Sequence, residues 1–182
     1  MKRYRLFVLL IILFTLIFTK SSVLAQPMQQ QDGWTATYWN NINLSGQATL
    51  VRTESNIDQN WGSGSPAVDI ATDRFSAQWT RELSLPAGRY RFEVTADDGV
   101  RLFVDGQLLI DAWQVQAATT YSAETLVANE PIFVELQYFE NTGLARVNLS
   151  WTSVAAPSDL WQGAYFDNRS LAGNPVFVHD EA

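Results

Sequence analysis

The sequence predicts an all-β fold: a two-sheet antiparallel β-sandwich with barrel-like character, followed by the truncated start of a second copy. Three observations carry this expectation. Tyr90, Phe92, Val94 and Ala96 alternate with Arg89, Arg91, Glu93 and Thr95, the period of two that marks a half-buried strand. Asp105-Gly106 stands between two alternating apolar runs. It is a strong hairpin signal, because both central residues of a type I′ turn take positive φ. Beyond the first 25 residues no apolar stripe is sustained at 3.6-residue spacing, while turns are frequent and aromatics many.

The elements follow in order along the 182 residues. Residues 1–25 read as a secretory signal peptide. Lys2, Arg3 and Arg5 open it, Leu6 to Phe18 is apolar except for Thr15, and Val23-Leu24-Ala25 supplies small residues at a cleavage site before Gln26. As a helix the apolar part spans roughly 20 Å, short of a ~30 Å hydrocarbon core. No membrane span is therefore expected after cleavage, and the protein is expected to be secreted or held at the cell surface. Residues 26–32, "QPMQQQD", read as a disordered lead-in.

The main domain is expected over residues 33–152. Leu85-Pro86-Ala87-Gly88 turns the chain into the strand of Tyr90 to Ala96. A two-residue loop at Asp105-Gly106 pairs Val104 with Gln107 and Leu102 with Leu109. It sets Asp111 opposite Val100 and Trp113 just beyond the level of Asp98. A second hairpin is expected between Ile132, Val134, Leu136, Tyr138 and Ala145, Val147, Leu149, Trp151, with Glu140 to Gly143 in its bend. Trp34, Tyr38, Trp79, Phe92 and Trp151 are the expected aromatic core.

Residues 153–159 read as a linker. Beyond it, "LWQGAYFDNRSLAGNPVFVHDE" repeats "GWTATYWNNINLSGQATLVRTE" at a constant spacing of 127 residues, matching Trp34 to Trp161, Tyr38 to Tyr165, Leu44 to Leu171 and Gly46 to Gly173. So short a piece cannot bury a core of its own. Residues 160–182 are therefore expected to be poorly ordered or to pair with an edge of the first copy.

Composition narrows function. The first 25 residues hold four of the twelve basic residues. The remainder sets eight Arg and no Lys against nineteen acids, a net charge of −11. That argues against a nucleic-acid partner and suits cation binding. There is no cysteine, and the single histidine is His179. A thiol nucleophile and a cysteine-based zinc site are thereby excluded. A Ser-His-Asp triad or a His-rich metal centre is disfavoured.

Asp97 and Asp98 are adjacent, before Gly99. One reading is a turn, with side chains capping backbone N–H groups. The other is a divalent cation site. Consecutive residues of a trans strand point to opposite faces; a cis peptide brings neighbouring Cα atoms to about 2.9 Å and can turn both carboxylates one way. Adjacent aspartates are not the opposed pair of a glycosidase, whose carboxyls stand about 5 Å or more apart across the substrate. No enzyme is expected.

The run "FSAQWTRELSLPAGRYRFEVTADDGVRLFVDGQLLIDAW" (75–113), with Trp34 and Tyr38 ahead of it and Leu149 to Trp151 behind, resembles a known family. It is the sugar-binding domain first described in a toxin protective antigen, the PA-fourteen domain, shared with flocculin-type adhesins, epithelial adhesins and bacterial glycosidases. The resemblance covers about residues 33 to 152 and implies a two-sheet sandwich. In its lectin members two adjacent aspartates joined by a cis peptide bind Ca2+, a downstream loop adds an Asn-type side chain and backbone carbonyls, and the ion takes two sugar hydroxyls. Carried onto this chain, the metal ligands are Asp97, Asp98 and Asn141. Glu140, Asp111 and Trp113 are ligand-binding candidates, with Trp113 or Trp61 packing against a pyranose. The loop of Glu140 to Gly143 is short, and the long specificity loops of the adhesin lectins are not evident. The implied function is a carbohydrate-binding module for glycans or polysaccharide, acting through Ca2+. The alternative is a non-catalytic spacer domain of a larger exported protein, in which calcium only stabilises the fold.

Overall fold

The computed structural model describes residues 32–155, 161–173 and 175–181. The expected signal peptide, most of the lead-in and residues 156–159 of the expected linker lie outside the described residues. The strands run β1 Trp34–Trp39, β2 Leu50–Glu54, β3 Asp58–Gly62, β4 Phe75–Leu83, β5 Gly88–Asp97, β6 Gly99–Val104, β7 Gln107–Ala112, β8 Thr119–Val127, β9 Ile132–Glu140, β10 Ala145–Val154, β11 Trp161–Tyr165 and β12 Phe177–Glu181. They form a six-stranded sheet in the order β2-β1-β4-β9-β6-β7 and a four-stranded sheet in the order β3-β10-β5-β8. Every neighbouring pair of strands in these sheets is antiparallel. Both sheets keep open edges, so the fold is a sandwich and not a closed barrel. No helix among the described residues is long and apolar enough to cross a membrane.

Alternation decides which side chains meet. Tyr90, Phe92, Val94 and Ala96 are buried, facing Val134, Leu136 and Tyr138 across the core. Trp34, Tyr38, Trp79 and Phe92 are fully buried, as the sequence suggests, and Trp151 is half-buried against them. Rings of this size each remove on the order of 150–250 Å² from water, which lets the sandwich close without disulfides.

Three register expectations are corrected. The Asp105-Gly106 turn forms, with φ of 49° and 75°, and Val104 pairs with Gln107. A bulge between Leu102 and Phe103 then shifts the rest by one, so Leu102 meets Ile110 and Asp111 faces Arg101 instead of Val100. The expected hairpin of Ile132–Tyr138 with Ala145–Trp151 does not form. β9 lies in the six-stranded sheet and β10 in the four-stranded one. Their apolar faces meet across the core, a relation that alternation alone cannot tell from pairing. β10 also runs to Val154, into the expected linker.

Residues 161–181 are likewise not docked as an edge strand. β11 and β12 pair with each other, from Trp161↔Glu181 to Tyr165↔Phe177. β1 and β2 pair in the same way, from Trp34↔Glu54 to Tyr38↔Leu50. The connecting loops agree in detail. Leu44 and Leu171 have φ of 54° and 53°. Asn41 Oδ1 accepts from the N–H of Asn43 and Ser45, and Asn168 Oδ1 from that of Ser170 and Ala172. β1 is covered by β4 on its other side. The second hairpin has no third strand paired with it among the described residues; β12 touches β8, and Val178 is buried, but Tyr165, Leu171, Val176 and Phe177 are exposed. A second sandwich is not formed there.

The pairings Trp39↔Ser76, Phe75↔Glu140, Gly99↔Phe139, Val100↔Ala112, Ala96↔Thr119 and Arg146↔Asp97 bring many strand ends to one pole. The loops 63–74, 113–118 and 141–144 gather there. At that pole the chain passes from one sheet to the other, through Asp97 and Asp98.

Candidate metal centre

β5 ends at Asp97 in the four-stranded sheet and β6 begins at Gly99 in the six-stranded one. The Asp97–Asp98 peptide is cis. Gly99 is required by close approach: a Cβ there would lie 2.0 Å from the Phe139 ring. Phe139 belongs to β9, so the same contact draws the crossing against the strand that ends in Glu140.

Asp97, Asp98 and Glu140 each place a carboxylate oxygen within 4.8 Å of the others. Glu140 is fully buried and Asp98 nearly so. Asp98 is oriented by the two flanking loops: Oδ1 accepts from the N–H of Gln116 at 2.9 Å and Oδ2 from the N–H of Asn141 at 2.8 Å. The Gln116 side chain fastens the first loop further. Its Nε2 donates to the Asp98 carbonyl at 3.1 Å, and its Oε1 accepts from Tyr121 at 2.6 Å. The Tyr138 hydroxyl contacts the Asp97 carbonyl and, at 3.2 Å, Glu140 Oε2. Glu140 Oε1 is buried with no hydrogen-bond partner.

The electrostatics follow from that burial. The Glu140 carboxyl is pushed up to about 7, first by burial, then by the charge of Asp98; Asp97 and Asp73 add to the rise, and the Tyr138 hydrogen bond opposes it. Asp97 is raised by burial and by Asp98, against a hydrogen bond from the backbone of Ala118. No basic group appears among these influences. Three anionic groups thus crowd together with one buried oxygen unsatisfied, a costly arrangement in an apolar interior. An all-oxygen donor set suits a hard cation. Ca2+ takes six to eight oxygens at roughly 2.3–2.6 Å, so two of its ligands can stand up to about 5 Å apart. The three carboxylates fit such an ion.

The other candidates lie around this group. Asn141 contributes its backbone N–H to Asp98, and its carbonyl accepts from the Arg74 N–H at 3.1 Å. Asp111 is exposed and takes a 3.0 Å ion pair from Arg101. The same guanidinium lies 4.7 Å from the Trp113 ring centre, and Phe139 packs edge-on to that ring at 4.8 Å. Trp61 is wedged among Tyr38, Phe75 and Tyr138. Both tryptophans expected as a sugar platform are engaged by neighbouring side chains. Neither Gln116 nor Tyr138 is a site candidate in the reading of the sequence alone. Gln116 carries no local signal. Tyr138 reads as core, which it also is.

The PA14 domain family matches residues 30–160. The chain is 35% identical over 130 residues to the anti-sigma-I factor RsgI3 of Acetivibrio thermocellus, covering 70% of this chain and 20% of that protein. It thus spans about a fifth of that relative's length. The solved structure of an anti-sigma factor domain-containing protein from Clostridium clariflavum is 29% identical, with a TM-score of 0.62, over 82% of this chain and 59% of that one. A PA14 sugar-binding domain from an RTX adhesin shares the fold at 20% identity, with a TM-score of 0.58, over 81% of this chain and 95% of that one.

Proposed function

This chain belongs to the PA14 domain family, and from that premise we propose that it is a non-catalytic carbohydrate-binding module that recognises glycan hydroxyls through a Ca2+ ion held at Asp97, Asp98 and Glu140. The observation that carries the reading is the buried, unpartnered oxygen of Glu140 within a group of three neighbouring carboxylates. The Asn141 side chain and loop carbonyls would complete the ion's shell, and vicinal hydroxyls of a glycan would take the remaining positions. Asp111 and Trp113, linked through Arg101, would help limit which sugars approach. Export to the outside of the cell is part of the reading, with cell-surface glycans or polysaccharide as the partner.

The likeness to anti-sigma factors supports a role as the ligand-binding part of a longer regulatory protein. The matched geometry of the β1–β2 and β11–β12 hairpins supports reading residues 160–182 as a partial copy of the domain's first hairpin. A second reading, a spacer domain that calcium only stiffens, is favoured by one feature: both Asp98 oxygens already accept backbone N–H groups. A glycan array run with calcium and again with chelator separates the two. Calcium-dependent retention of a glycan class supports the module. A melting temperature raised by calcium with no glycan retained supports the spacer.

A further inference from the structure

We infer that Tyr138 is a positioning residue of the cation site, holding Glu140 and the Asp97 carbonyl in one fixed arrangement; this rests on the reading of the acidic group as a cation site. The hydroxyl reaches the two elements that must meet. One is the Asp97 carbonyl, where the chain leaves the four-stranded sheet. The other is Glu140 Oε2, at the end of β9. Oε2 lies 3.2 Å from the phenol, and Oε1 is the Glu140 oxygen without a partner.

The ring cannot drift. It is fully buried, with Trp61, Phe75 and Trp79 at centroid distances of 5.9, 6.0 and 6.5 Å. A rigid aromatic core thereby sets the position of a carboxylate that otherwise turns freely about its last torsion, whose wells are broad. A buried ligand held by a second group is the general way proteins pre-orient metal sites. Tyr138 touches no ion in this scheme; it acts through Glu140 and the crossing segment.

Tyr38 supplies a matched control. It lies in the same ring cluster, 5.8 Å from Trp79 and 6.4 Å from Trp61. Its hydroxyl serves Glu54, at 2.6 Å, and not the acidic group. Removing either hydroxyl leaves a phenylalanine of nearly the same shape.

The test is calcium affinity by titration calorimetry on the full chain, with europium emission lifetimes counting the waters on a bound lanthanide. Tyr138→Phe should weaken calcium binding about tenfold, the scale of losing a hydrogen bond to a charged group. It should also admit one more water to the ion. Tyr38→Phe should lower the melting temperature without moving the affinity. In a Glu140→Gln background, Tyr138→Phe should cost no further affinity. Equal binding by wild type and Tyr138→Phe overturns the positioning role alone, as does an equal loss in Tyr38→Phe. A wild-type chain that binds no cation overturns both the role and the reading beneath it. Should Tyr138→Phe fail to fold, Glu140→Asp draws the carboxylate back from the phenol; wild-type affinity and water count in that variant would overturn the role.

Discussion

Two glutamates, Glu140 fully buried and Glu54 with a side chain only 8% exposed, sit in one aromatic cluster and are treated in opposite ways. Each ends a strand and each meets a tyrosine hydroxyl. Glu54 is fully answered. Oε1 accepts from Tyr38 and Arg52, both at 2.6 Å, and Oε2 accepts from Trp79 at 2.7 Å and Gln59 at 3.0 Å. Glu140 has one contact at 3.2 Å, an orphaned oxygen, and three aspartates whose charges raise its pKa. The same residue type is structural where cations and donors surround it. It is a candidate ligand where acids crowd it and one hydroxyl is its sole donor among the described residues. Completeness of satisfaction, more than burial, separates the two.

The largest effect expected of this contrast is on cation binding. Asp97→Asn with Asp98→Asn should abolish calcium binding, seen as loss of the calcium-induced rise in melting temperature. The Glu54→Gln variant should keep that rise in full. If the double change leaves the rise intact, the contrast is broken.

The next effect concerns pH. A carboxyl whose folded pKa lies above its unfolded value stabilises the fold only while it holds its proton. For Glu140 that contribution is whole below about 4.5 and is lost as pH rises through about 7. Denaturant melts in chelator should therefore show stability falling over that window, by on the order of 2–3 kcal/mol. Glu140→Gln should flatten the slope. With calcium present the slope should diminish or reverse, because the ion needs the ionised carboxylate.

A smaller effect separates the glutamates by stability. Glu54→Gln should cost about 2 kcal/mol in unfolding free energy, since it weakens several charge-assisted hydrogen bonds. Glu140→Gln in chelator at neutral pH should cost less or even stabilise. The smallest effect is at the loop. Gln116→Ala keeps the backbone N–H to Asp98 but removes the side-chain clasp, and should weaken calcium binding about fivefold at nearly unchanged melting temperature.

Much of this was legible in the residues, for physical reasons that also mark where legibility ended. Asp105-Gly106 reveals its turn because positive φ at both positions restricts the choice of residue. Tyr90 to Ala96 reveals its buried face by period. Glu140 also carries a signal: it continues the inward phase of Ile132, Val134, Leu136 and Tyr138, so an acid falls on a core face. An expectation of a bend at 140–143 masked that phase. The β9–β10 relation is not legible in the sequence, because strands facing each other across a core and strands paired side by side show the same alternation. Gln116 was illegible, since a loop residue's partner 18 positions away depends on tertiary closure. The bulge at Leu102/Phe103 was equally hidden, as no glycine or proline marks it.

The most direct measurement is a crystal structure of the protein grown with calcium, with the ion located by its anomalous scattering. The result expected is an ion between Asp97, Asp98 and Glu140, with Glu140 Oε1 among its ligands at roughly 2.3–2.6 Å. Glu140 turned away onto a protein donor, with water and no ion between the aspartates at saturating calcium, would contradict it.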